Sequence, residues 1–134
     1  MNKFDGHIAE IQTHEQLSKV TAVLEGGLRI QAMVIETPDT ADYMVEGGKI
    51  SVHFKETEVI LCLPETSGIS EPNQVQGIIV SLESGVLLTW VCLQTKIGDI
   101  GAVIPSDAVK ALDLSIGKKA VACVKTTEVM LSVI

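Results

Sequence analysis

The stretch Lys49-Ile50-Ser51-Val52-His53-Phe54-Lys55-Glu56-Thr57-Glu58-Val59-Ile60-Leu61 comes back seventy residues later as Lys119-Ala120-Val121-Ala122-Cys123-Val124-Lys125-Thr126-Thr127-Glu128-Val129-Met130-Leu131. Lys-x-Thr-Glu-Val is common to both. The same offset carries Gly47 onto Gly117 and Ala32 onto Ala102, and one residue of slippage brings Gly6 to Gly77. A period of this kind marks a chain built from repeated units. The sequence therefore reads as two copies of a unit of about 65 residues. The boundaries are 1–64 for the first copy and 73–134 for the second. Residues 65–72 form a linker, in a stretch where Pro64, Gly68 and Pro72 punctuate small polar residues.

Copy two shows the order of elements. Val75–Leu82 is an apolar strand, Glu83-Ser84-Gly85 a turn, and Val86–Leu93 and Ile100–Ile104 further strands. Ser106 or Asp107 is placed to cap a helix of about two turns, with Val109 and Leu112 facing inward. Ala120–Val124 and Val129–Val133 complete five strands. In copy one, Thr37-Pro38-Asp39 marks the same helix start, with Pro38 at its first position. Ile50, Val52 and Phe54 alternate with Ser51, His53 and Lys55, as a strand with one buried face requires. Five short strands with a helix between the third and fourth describe an OB-type barrel. The expected class is all-β with short helices, as two tandem OB-type five-stranded barrels. A unit this small buries only about 60% of its unfolded surface, so pairing of the copies and self-association are expected.

Composition excludes several functions. The net charge is −7 and aromatics are 3%, which argues against the basic, stacking surface of a nucleic-acid binder and against an anionic membrane. No apolar run reaches the ~18 residues of a membrane span, and the N-terminus lacks the apolar region of a signal peptide. A cytoplasmic location is expected. Cys62, Cys92 and Cys123 are too widely spaced for a metal knuckle or a disulfide framework, and read as small buried thiols. His7, His14 and His53 have no counterparts in copy two and no nucleophile signature beside them. Catalytic residues, a metal site and an organic cofactor are not expected. Gly26-Gly27 and Gly47-Gly48 read as turn glycines rather than phosphate loops.

Lys125-Thr126-Thr127 is the most informative segment. It offers one cation, two hydroxyls and turn N–H groups, the donors that a tetrahedral oxyanion takes. On residue types alone it is equally a solvated hairpin turn. The wider pattern resembles the Mop (TOBE) domains of the molbindins, which bind molybdate. The resemblance lies in Ser70-Glu71-Pro72-Asn73-Gln74-Val75-Gln76-Gly77, which is similar to the family opening Ser-Ala-Arg-Asn-Gln. It continues through Asp107-Ala108-Val109-Lys110-Ala111-Leu112-Asp113-Leu114, then Gly117-Lys118, and through Lys125-Thr126-Thr127-Glu128-Val129. It is close in copy two and loose in copy one.

This resemblance implies a non-enzymatic carrier or buffer for molybdate or tungstate, assembled as a homotrimer that holds the anion between neighbouring domains. It carries Ser70, Lys125, Thr126 and Thr127 over as ligand-binding residues, with Lys55 and Thr57 as counterparts in copy one. The chain departs from the family at Glu71 and Pro72, which stand where Ala and Arg are usual, and Glu56 stands where copy two has the hydroxyl of Thr126. A carboxylate about 4 Å from a dianion opposes binding by several kcal/mol at an effective dielectric of about 20. These departures support an alternative, a ligand-free Mop-fold module that binds a transporter or regulator partner.

Overall fold

The computed structural model describes residues 1–134. Its strands are β1 (Asn2–His14), β2 (Leu17–Val23), β3 (Arg29–Val34), β4 (Lys49–Phe54) and β5 (Ile60–Cys62) in copy one. Copy two supplies β6 (Gln74–Ser84), β7 (Leu88–Thr95), β8 (Gly98–Pro105), β9 (Lys119–Cys123) and β10 (Met130–Ser132). One helix, α1 (Ser106–Ala111), lies between β8 and β9.

Each copy builds an antiparallel sheet from its first four strands and gives its fifth away. The sheet orders are β10-β4-β1-β2-β3 and β5-β9-β6-β7-β8. Met130 pairs with His53, and Ile60 pairs with Cys123. A single buried core runs through both sheets, from Ile8, Ile50, Val52 and Phe54 to Ile79, Leu93, Ile100 and Val129. Neither copy closes its sheet alone. This exchange supplies the burial that a unit of this size lacks by itself.

Two buried asparagines lock the exchange. Asn73 Nδ2 donates to the Gln31 carbonyl and its Oδ1 accepts from the Gln31 N–H, both at 2.8 Å. Asn2 does the same to Gly101, at 2.9 and 2.8 Å. Each carboxamide thus completes the edge of the other copy's third strand, where a backbone pair would otherwise be unsatisfied. Gly101 lies so close beneath this contact that an added Cβ would meet Glu56 Cγ at 3.2 Å.

The repeat extends to irregularities. Both long strands carry a bulge at the same place, between Ile8 and Glu10 and between Ile79 and Ser81. The residue of slippage lies in the turn after β2, where Glu25–Gly27 forms a 3₁₀ turn on two positive-φ glycines. Its counterpart in copy two is a tighter turn at Lys96-Ile97.

Two local expectations are corrected. No helix forms at Thr37-Pro38-Asp39; the chain makes one turn there, with Thr40 and Ala41 N–H donating to the Thr37 carbonyl. Pro38 disfavours the helical region for Thr37. Thr40 Oγ1 accepts from the Thr37 N–H at 2.9 Å and competes with the helical pattern. In copy two the helix forms, but its N-cap is Pro105, without a side-chain hydrogen bond. Ser106 is buried and donates to the Gly85 carbonyl at 2.8 Å, so it ties the helix to the hairpin instead.

Asn73→Ala is expected to lower unfolding free energy by about 2–4 kcal/mol, because it strands a buried backbone donor and acceptor; urea titration measures it. Gly77→Ala would set a Cβ 2.6 Å from the Gln94 carbonyl oxygen. It is expected to cost about 1–3 kcal/mol by overpacking, read as a lower thermal midpoint.

Candidate functional site

The two Lys-x-Thr-Glu segments fold alike. Lys55 and Lys125 are extended, and each carbonyl accepts from the N–H three residues on, Glu58 or Glu128, at 2.9 Å. Glu56–Glu58 and Thr126–Glu128 are single 3₁₀ turns. They are the crossover points of the exchange, since the chain passes from its own fourth strand to the other copy's sheet within each turn.

Lys55, Thr57, Lys125, Thr127 and Ser70 are all exposed, and Thr126 is half-buried. None of their side chains is engaged in an ion pair or a hydrogen bond within the chain. Their donors are therefore unspent. A cleft of about 260 Å³ brings Lys55 together with Thr127, beside Glu58, Glu128 and Met130. Lys125, Thr57 and Ser70 do not line it. Two carboxylates face one ammonium in this cleft, an acidic balance that opposes a dianion.

Ser70 stands at a bend. The segment after it is tied to the strand before Lys125, because the Val124 N–H donates to the Asn73 carbonyl at 3.2 Å. Glu71 turns back, and its Oε1 accepts from the Asn73 N–H at 3.5 Å. Glu56 takes the place of Thr126 in copy one. Its carboxylate accepts from the Met1 ammonium at 2.7 Å, a contact that holds it below the usual carboxylate range.

Two features went unread in the sequence. Asn2 and Asn73 position the turns, and the slippage that aligns Gly6 with Gly77 also aligns these two residues. A second cleft, about 390 Å³, lies elsewhere, between Lys96, Lys119, Gln76, Gln94 and Thr95. No carboxylate lines it. Its lysines come from a turn and from the far end of β9, and only the sheet register joins them.

Residues 69–131 match the TOBE domain. The chain is 38% identical over 66 residues to the "Probable molybdenum-pterin-binding protein" of Haemophilus influenzae, covering 96% of that protein and 48% of this chain. It is 29% identical over 135 residues to the "Molybdenum transport protein ModE" of Herbaspirillum seropedicae, covering 98% of this chain and half the length of that relative. The fold is similar to that of the cytoplasmic molybdate-binding protein ModG with molybdate bound. The TM-score is 0.91 and the identity 24%, over 99% of this chain and 96% of that one.

Because their ammonium groups are unpaired, Lys55→Ala and Lys125→Ala are each expected to shift unfolding free energy by less than about 0.5 kcal/mol. Urea titration without added oxyanion checks this.

Proposed function

Since the chain belongs to the molbindin family of Mop/TOBE domain proteins, we propose that it binds molybdate or tungstate reversibly, with no chemistry on the anion. The proposed sites lie between chains of a homotrimer. Lys125, Thr126, Thr127 and Ser70 supply the donors in copy two, and Lys55 and Thr57 the weaker counterpart in copy one. We read the chain as two units, 1–64 and 73–134, joined by 65–72, acting in the cytoplasm in storage, buffering or delivery.

One observation carries this reading. The lysines and hydroxyls of both crossover turns make no bond within the chain, while the cleft that joins the two turns within one chain is acidic. A neighbouring chain would complete the donor set that one chain leaves open. Self-association has its own support at the hairpin between β6 and β7. Val86 is 94% and Leu87 80% exposed, with Leu88 and Trp90 beside them. Copy one carries Glu15, Gln16, Leu17 and Lys19 at the corresponding places. Exposed apolar surface of this kind favours an interface. Selectivity over sulfate would come from cavity size, since charge and shape are alike.

The acidic pair Glu58 and Glu128, with Glu56 in copy one, favours the second reading, an interaction module without a ligand. Thermal unfolding with molybdate, tungstate or sulfate at matched ionic strength separates the two. Anion at 100 times its Kd stabilises by about 2.7 kcal/mol per site, or roughly 10 °C for a chain of this size. Molybdate or tungstate is expected to raise the midpoint, sulfate is not, and Lys125→Ala is expected to abolish the rise. Loss of the rise in Lys96→Ala or Lys119→Ala instead would move the site to the larger cleft. No rise at millimolar anion would leave the interaction module.

A further inference from the structure

The exchanged strand β5 ends at Cys62, whose Sγ lies 3.7 Å from Sγ of Cys123 on β9. The two residues are 61 apart in sequence and come from different copies. They stand diagonally across the pair, because Ile60 faces Cys123 and Cys62 faces Val121. They are unlike in access. Cys62 is half-buried and lines a cleft of about 180 Å³ with Thr66, Gln74 and Gln76, open enough for a small solute. Cys123 lies behind it, 3% exposed. The other junction has Ser132 and His53 at the equivalent positions, so only one of the two exchanged strands carries the pair.

We infer that Cys62 and Cys123 form a redox-active pair whose oxidation by a peroxide yields a disulfide across the β5–β9 junction. The Cys62 thiolate attacks one peroxide oxygen. An S–O bond forms and the O–O bond breaks. The released hydroxide leaves as water once protonated, so the sulfur is oxidised by two electrons and the peroxide reduced. The Cys123 sulfur then attacks the sulfenic sulfur. The S–S bond forms and the S–O bond breaks, and the departing hydroxide takes the Cys123 thiol proton to give a second water. Burial, the neighbouring Cys62 and Glu71 push the Cys123 thiol up to about 12. That keeps it protonated and assigns the first step to Cys62, because the thiolate is the nucleophile. Closing the sulfurs to about 2.05 Å asks for a small shift at the end of a three-residue edge strand. The product covalently closes the loop from 62 to 123 and fastens one exchanged strand to its host sheet.

The test treats the reduced full-length chain with hydrogen peroxide, alkylates free thiols and reads intact mass, peptide linkage and thermal midpoint. The expected product is a chain two hydrogens lighter and not covalently linked to another, with Cys62 joined to Cys123 and only Cys92 alkylated. Its midpoint is expected to rise by roughly 5–15 °C, because the closed loop restricts the unfolded chain, and dithiothreitol is expected to reverse the rise. Cys62→Ser should abolish the product and Cys92→Ser should not. A bridge to Cys92, a bridge between chains, or Cys62 carried to the sulfinic acid while Cys123 still alkylates would each overturn the inference.

Discussion

The paired hydrogen bonds from Asn2 to Gly101 and from Asn73 to Gln31 are the constraint on which the rest of the molecule depends. Each reaches from the start of one copy to the third strand of the other. With both ends of a carboxamide satisfied against one backbone residue, the copies are held in a single relative position. The exchanged strands β5 and β10 are only three residues long. Strands that short gain little from their own ladders, and the asparagine clamps fix the edge beside which they lie. Removal of a clamp exposes buried backbone groups in the copy that the mutated residue does not belong to, so damage at one copy is felt in both.

The same constraint places the candidate donors. A strand that must leave its own sheet needs a crossover, and in both copies the crossover is Lys-x-Thr-Glu. The lysine is the last extended residue and the glutamate closes the turn. The threonines between them, Thr57, Thr126 and Thr127, make no side-chain hydrogen bond within the chain. In this fold a polar turn with unspent donors follows from the exchange itself. What differs between the copies is the middle of the turn. Thr126 in copy two is Glu56 in copy one, and Glu56 is drawn onto the junction beside Gly101 and the Met1 ammonium. The two turns are alike in backbone and unlike in charge.

Much of this was legible in the sequence. The repeat, the strand count and the position of α1 follow from Lys-x-Thr-Glu-Val and from apolar alternation, because both report directly on local burial. The destination of the fifth strands was not legible. Ile60-Leu61-Cys62 and Met130-Leu131-Ser132 carry the same apolar pattern whichever sheet receives them, and only tertiary pairing decides. The helix expected at Thr37-Pro38-Asp39 does not form, because Thr40 Oγ1 takes the Thr37 N–H in a local bond that a cap pattern does not report. The candidate residues were legible as types but not as a constellation. Lys55 meets Thr127 across the cleft, while Lys125, Thr57 and Ser70 lie outside it. Asn2 was hidden by an opening that otherwise departs from copy two, although the offset set by Gly6 and Gly77 pointed to it.

On the proposed function, oxyanion is held between chains by the crossover turns. The most direct measurement is sedimentation of the protein with molybdate, following molybdenum and protein together across the boundary. Molybdenum is expected to travel with a species of three chains, and Lys125→Ala is expected to leave that species intact but free of molybdenum. Molybdenum that travels equally with single chains, or a trimer that carries none, would contradict it.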